Sequence, residues 1–541
     1  MEPRIVIVGC GISGITAAHR LIKAGFNHVR ILEATSRSGG RIKTGSLGST
    51  ITEIGATYIH GPSEQNPLFC LARDYELLNS DALTPENQAA DVEEHPPWVA
   101  NWFSSSGQRL SAELINPAME KFYDLVFNLP DVDGEYPYAS FGQYVCSKVR
   151  QQVAEQDRDE STKKLWLCAI NTLLKVQCCD NAAHSMDELD LDGFYTYKNL
   201  LGLDCTFPNG FEGLIKKLMA ELPADIVTYN KPVRCVHWNN SESPVNTVLV
   251  ECADGERIAA DHVIVTLPLG YLKKHQSTFF SPPLPVHKLD SIHKLGFGTY
   301  NKIFVEFESP WWDADCEIIY LVWEDEDLSE QMSNIRQSWI RKLPVFTVQP
   351  PSERSSYVLC GWIAGEEAEY METLPEQEVR RCITALIQKF TGNGAITSKR
   401  ILCTRWFNDP WTCGSYVHLA IGCSEKDFEN MMEPLPTKGK GSQVCKHVFI
   451  PCAVSNSLKF NMFMKSVCVS FICMWYFSLC KCCLPERRLI PASTPPCTER
   501  FSLGGEKLTE SSLIIQPLHT NQDKRSKRFT SLVENKARCL I

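Results

Sequence analysis

Near its start the chain reads RIVIVGCGISG, a stretch that limits the fold before any other is considered. Arg4–Val8 is an apolar run of strand length, and Ile12–Lys23 carries its apolar residues at helical spacing, with Gly25 placed to end a helix. His28–Glu33 then returns as a second strand. Strand, helix and parallel strand in so short a space make a βαβ unit, and between its first two elements stands Gly9-x-Gly11-x-x-Gly14. Gly9 permits the tight turn, Gly11 lets a pyrophosphate approach the backbone, and Gly14 lets helix and strand pack closely. The N–H groups and positive dipole end of the helix suit phosphate oxygens. Glu33 lies 19 residues past Gly14 at a strand end, where a carboxylate accepts from both hydroxyls of an unphosphorylated adenosine ribose. A glycine turn without a ligand would not need that carboxylate. A dinucleotide site is expected.

Which dinucleotide follows from the next residues, EATSRSGGR. They put Arg37, Gly39, Gly40 and Arg41 directly after the ribose carboxylate. Such a loop can wrap an extended dinucleotide from its far side and neutralise the pyrophosphate, a second clamp that a simple nicotinamide enzyme does not need. FAD is the expected cofactor.

The remaining composition sets wider bounds. At 541 residues the chain exceeds one simple core, and 44% hydrophobic with 22% charged residues is ordinary for a globular protein. The net charge of −10 is uneven: from Val444 onward there are 14 Lys and Arg against 6 Asp and Glu, so the preceding body is strongly acidic. Such a body disfavours nucleic acid and tolerates cationic substrates. The 24 cysteines follow no secretory leader, so reduced intracellular thiols are expected. Cys480, Cys482 and Cys483 lack a second ligand pair, and no metal is expected. Ser466–Cys480 is uncharged but 15 residues long, short of the ~20 that span a bilayer. The stretch 460–480 is therefore read first as part of a disordered tail, and only second as a membrane contact.

Further along, STKKLWLCAINTLLKVQ reads as a helix, and KPVRCVHW, NTVLVECADGERI and DHVIVTLPLG read as strands with a hairpin turn at Asp254-Gly255. NKIFVEF and SYVLCGWIAG alternate like strands under a pocket.

Taken together with EIGATYIHGPSEQNP, GFGTYNKIFVEFESPWW and RWFNDPWTCGSY, these segments resemble the flavin-containing amine oxidases, and within them the polyamine oxidases acting on N-acetylated substrates. The resemblance runs from about Arg4 to about Gln443 and implies a mixed α/β architecture. It consists of a Rossmann-like FAD-binding domain of separated segments (1–75, 205–290 and a return at 401–443) and a substrate domain with mixed sheet and helices (76–204, 291–400). Residues 444–541 form an atypical tail. It implies that Ser13, Glu33 and Arg41 join Gly9, Gly11 and Gly14 at the adenosine diphosphate half of FAD. Val233 would hold the adenine through its main chain, and Thr57 and Tyr58 would lie beside the isoalloxazine. Lys302 would reach flavin N5 through a water, and His60 would stand near the substrate amine. Tyr416 would form an aromatic wall, and Tyr197 and Asp204 would meet a long cationic chain.

The implied reaction oxidises a polyamine, preferably N-acetylated spermine or spermidine, beside a secondary amine, with oxygen as acceptor. The products are an aldehyde, a shorter amine and hydrogen peroxide. A monomer in the cytoplasm or peroxisome is implied, although the final residues CLI are no peroxisomal tripeptide. The sequence departs from the pattern twice. Gln177 stands where family members tend to carry a glutamate, and after Gln443 the expected GEAT segment is replaced by VCKHVFIPCAVSNSLKF.

Overall fold

The computed structural model describes residues 2–90, 99–128, 138–196, 200–238, 248–326, 328, 334–349, 357–436 and 447–449. The tail beyond 449, with its 460–480 stretch, and Tyr197 lie outside the described residues.

The opening unit forms as its pattern requires. β1 (Ile5–Val8) is followed by α1 (Ile12–Lys23) and β2 (Val29–Leu32), and β1 pairs with β2 in parallel, Ile5 opposite Val29 and Val8 opposite Leu32. All four residues of β1 are buried, which fits a strand covered on both faces, and each buried Val or Ile contributes about 1.5–3 kcal/mol. On the other side of β1 lies the equally buried strand His262–Val265, again parallel. The six-stranded sheet runs in the order Leu435–Pro436, His447–Phe449, His262–Val265, β1, β2, Val227–Thr228. Its pairings are parallel except for the first, which is antiparallel. The strand at His447–Phe449 therefore joins this sheet from within the segment where the sequence leaves the family pattern.

A short strand, β3 (Tyr58–Ile59), pairs antiparallel with Cys205–Thr206 and so brings together two regions far apart in the chain. Between them in sequence runs α2 (Glu160–Asn181). The Asp159 side chain caps its start, accepting from the Thr162 N–H, and Ala182 ends it in a left-handed conformation, φ 49°. Eleven of its residues are buried on several sides, which marks a core helix rather than an amphipathic surface one. It packs against a seven-stranded sheet, ordered Ser398–Cys403, Tyr300–Phe307, Tyr357–Ala364, Val345–Val348, Ile318–Val322, Ala100–Ser104, Arg109–Leu110. Within that sheet β4 (Tyr300–Phe307) pairs antiparallel with Tyr357–Ala364, placing Lys302 opposite Trp362. Finally β5 (Tyr416–His418) pairs antiparallel with Gly296–Gly298 and also meets α2. Among the described residues no helix is long and apolar enough to cross a membrane, and no group of His, Cys, Asp and Glu could hold a metal ion.

Candidate active site

At the glycine loop the backbone is held for a close approach. Gly9 has φ +103°, a conformation that side chains rarely adopt, and a Cβ on Gly14 would lie 2.1 Å from the Gly9 carbonyl oxygen. A Cβ on Gly11 would instead meet nothing within 4 Å, so the loop opens outward there. No side chain caps α1, and its first-turn N–H groups, including that of Ser13, stand at this open end. Those features fit a diphosphate, with the amides as donors and the helix dipole as a further attraction.

Glu33 sits where its carboxylate binds the same loop. Its Oε2 accepts from the Cys10 N–H at 2.8 Å, and its Oε1 accepts from the Thr35 N–H at 2.8 Å and hydroxyl at 2.7 Å. Three of about four acceptor positions on a carboxylate are thus used within the chain. A ribose hydroxyl would take the remaining position or exchange with Thr35. The Gly39 N–H reaches the Cys10 carbonyl at 2.8 Å, so the second loop crosses the first. Arg37 stitches that loop to itself through the carbonyls of Ser38, Gly40 and Ile42. Arg41 reaches outward instead, donating to the Ser415 carbonyl at 2.6 Å, directly before β5. Val233 is drawn to the same place, because the Lys231 N–H bonds the Glu33 carbonyl at 2.8 Å and the Asn230 N–H bonds that of Thr35 at 2.9 Å.

At the other end, Lys302 on β4 is 8% exposed. Its Nζ donates to the Glu53 carbonyl at 2.9 Å, the Gly55 carbonyl at 2.6 Å and the Thr57 Oγ1 at 2.6 Å. Burial pushes its pKa down, with the nearby Cys360 and Glu53 opposing the shift. An ammonium satisfies all three acceptors. A neutral amine can keep both carbonyls and accept from the Thr57 hydroxyl, which alone of the three partners can reverse its bond. A water bridge from Lys302 would have to displace one of these contacts.

His60 follows β3, and Asp204 precedes its partner strand, so the β3 pairing brings them together. The His60 Nδ1 lies 2.6 Å from Asp204 Oδ2, and both side chains are about one-third exposed. Tyr58 is 6.0 Å from the His60 ring, centroid to centroid, and burial raises its phenol pKa. Tyr416 on β5 donates its hydroxyl to the Cys179 carbonyl near the end of α2. Its ring lies 5.9 Å from Tyr300, which is itself 6.2 Å from Trp362 and perpendicular to it.

The structure thus gathers Gly9, Gly11, Ser13, Gly14, Glu33 and Val233 at one end, and Thr57, Tyr58, His60, Asp204, Lys302 and Tyr416 around β3, β4 and β5, with Arg41 joined to the second group through the Ser415 carbonyl. Tyr300 and Trp362 were not singled out from the sequence. Tyr300 was within reach, since residues two apart on a strand share a face with Lys302, whereas Trp362 depended on a cross-strand register.

Comparison with known proteins places the chain in a family. The family profile described as flavin containing amine oxidoreductase matches residues 12–443. The chain is 44% identical over 453 residues to the peroxisomal N(1)-acetyl-spermine/spermidine oxidases of Bos taurus and of Homo sapiens, covering 82% of this chain and 88% of each relative. It is 28% identical to polyamine oxidase 1 of Oryza sativa subsp. japonica, over 80% of this chain and 88% of that one. In fold it is similar to a putrescine oxidase solved with putrescine bound, with TM-score 0.55 and 19% identity, covering 88% of this chain and 99% of that one. The chain belongs to the flavin-containing amine oxidoreductases, and its cofactor is FAD.

Proposed function

We propose that this protein oxidises polyamines, preferring N-acetylated spermine and spermidine, and that it acts in the peroxisome or cytoplasm. The observation that carries this reading is the 44% identity to the mammalian N(1)-acetyl-spermine/spermidine oxidases over 88% of their length. FAD would supply the two-electron acceptor, held by the glycine loop, Glu33 and the Val233 main chain at one end and by Arg41 and the Gly55–Tyr58 segment at the other.

The chain's own residues have three tasks. The substrate nitrogen must be neutral so that its lone pair can support the cation that forms as hydride leaves the neighbouring carbon. The half-buried aromatic side chains of Tyr58, Tyr300, Trp362 and Tyr416 favour the neutral amine by excluding water. Asp204 fixes the His60 ring through Nδ1, so that Nε2 is the nitrogen to exchange a proton with the amine. Lys302 holds the Glu53–Thr57 segment in place and keeps a proton beside it, shared with the Thr57 hydroxyl. In sum, amine, oxygen and water give an aldehyde, a shorter amine and hydrogen peroxide.

The test is steady-state oxidation of N1-acetylspermine, spermine and a simple monoamine, followed by peroxide release. A higher kcat/KM for N1-acetylspermine supports the reading, and turnover of the monoamine alone overturns it.

A further inference from the structure

A helix that supplies no residue to the candidate active site ends in a buried carboxylate. α3 (Glu366–Glu372) presents Glu369 and Glu372, three residues apart, on one face. Thr299 and Asn301 are two apart where β4 begins, so they too share a face. The two pairs engage. The Thr299 hydroxyl donates to Glu369 Oε1 at 3.0 Å, and Asn301 Nδ2 donates to Glu372 Oε1 at 2.7 Å. Lys302 alternates with Asn301 and projects from the opposite face of β4.

Glu372 is 4% exposed and does more than hold Asn301. Its Oε1 also accepts from the Phe407 N–H at 2.8 Å, and its Oε2 from the Asn408 N–H at 2.8 Å. Three N–H donors thus converge on its two oxygens. A glutamine amide has one acceptor oxygen and would turn an N–H toward at least one of them.

From Asn301 the bonds run on to the lysine. Asn301 Oδ1 accepts from the Thr404 hydroxyl at 2.9 Å, and that hydroxyl oxygen accepts from the Lys302 N–H at 2.8 Å. The Thr404 N–H returns to the Lys302 carbonyl at 3.0 Å. From Phe407 and Asn408 the loop runs on to Tyr416. The Trp406 carbonyl accepts from the Thr412 hydroxyl at 2.9 Å and from the Gly414 N–H at 2.8 Å. Ser415 then accepts from the Tyr300 N–H at 2.9 Å and donates to the Tyr300 carbonyl at 2.7 Å through one hydroxyl. The loop is therefore tied to β4 at Tyr300, Asn301 and Lys302, and Glu372 fixes the end of it that lies farthest from Tyr416.

We propose that Glu372 is a positioning residue for the oxidation, setting Lys302 and Tyr416 against one another by gripping β4 through Asn301 and the intervening loop through the Phe407 and Asn408 amides. This rests on the polyamine reading and adds to it a group that acts on the reaction without touching the substrate.

The test has two readouts on the holoprotein. The first is anaerobic flavin reduction over a range of N1-acetylspermine concentrations. Glu372→Gln is expected to keep its flavin, to lower the limiting rate by about tenfold and to leave the apparent amine affinity within about twofold. Combining it with Asn301→Asp exchanges carboxylate and amide across the contact, and is expected to recover the rate to within about threefold of wild type. The second readout is amide hydrogen exchange without substrate, expected to quicken by about tenfold at Lys302, Phe407 and Asn408 in Glu372→Gln. If that variant does not fold, Thr404→Val removes only the hydroxyl between Asn301 and Lys302, and a rate about fivefold lower is expected. A folded, flavin-bound variant that reduces at the wild-type rate overturns the proposal, as does a rate that the exchanged pair does not recover. Wild-type holoprotein that polyamines fail to reduce overturns the polyamine reading. The exchange measurement still decides the network in that case, and unchanged exchange overturns it.

Discussion

Lys302 and Thr57 meet across 245 positions of sequence, with nitrogen and hydroxyl oxygen 2.6 Å apart. The contact ties β4, the strand next to one edge of the seven-stranded sheet, to the segment leading into β3. Because the hydroxyl can donate or accept, it tolerates either protonation state of a lysine whose burial favours the neutral one.

Replacing Lys302 with Met should therefore act on both stability and rate. The Glu53 and Gly55 carbonyls would lose a buried donor, at about 1–3 kcal/mol by chemical denaturation. Anaerobic flavin reduction by substrate should slow by about a hundredfold if the lysine holds the proton as proposed. A variant that is destabilised but reduces its flavin at the wild-type rate would make Lys302 a purely structural residue.

His60 and Asp204 should behave as one unit. With 2.6 Å between them, Asp204→Asn and His60→Asn should each lower kcat/KM by about ten- to a hundredfold, and the double variant by little more than the worse single. Fully additive losses would show that the two act independently.

Gly14→Ala should empty the cofactor site. The added Cβ falls 2.1 Å from the Gly9 carbonyl oxygen, so the turn and α1 must separate. Visible flavin absorbance per mole of protein, measured after gel filtration, should fall well below that of wild type; full retention would mean that the loop relaxes without losing its ligand.

His418 gives the protein an acid sensitivity of defined sign. It is buried on β5, and burial lowers its pKa from 6.5 to about 4, with Lys273 adding to the effect and a hydrogen bond donated to the Asn181 backbone opposing it. The unfolded chain takes up this proton below pH 6.5 and the folded one does not until about pH 4, so stability falls as pH drops through that window. Between pH 7 and pH 5 the loss is about 2 kcal/mol. Urea denaturation at the two pH values should show it, and His418→Asn should remove it. An unchanged pH dependence in the variant would place the sensitivity elsewhere.

The first third of the site was legible because its chemistry is local. One βαβ unit puts the glycine turn, the helix start and Glu33 within 30 residues, and the predicted helix Ile12–Lys23 matches the observed bounds. The flavin end was not legible in the same way. Lys302 meets carbonyls 247 and 249 positions away, and which carbonyls these are depends on how the sheet and the β3 segment pack. The aromatic wall beside it likewise depends on a register that places Trp362 opposite Lys302. Glu33 shows the other kind of gap: its type and position were readable, but its engagement by Cys10 and Thr35 was not. The strand at His447–Phe449 is a third case. Its neighbour His262–Val265 is distant in sequence, and a three-residue run has too little periodicity to announce itself.

The most direct measurement is the visible spectrum of the purified full-length protein, freed of unbound FAD and then mixed anaerobically with N1-acetylspermine. One bound flavin per chain that bleaches on mixing is the result predicted for an FAD-dependent polyamine oxidase. A colourless protein, or a bound flavin that stays oxidised with this substrate and with spermine, would contradict it.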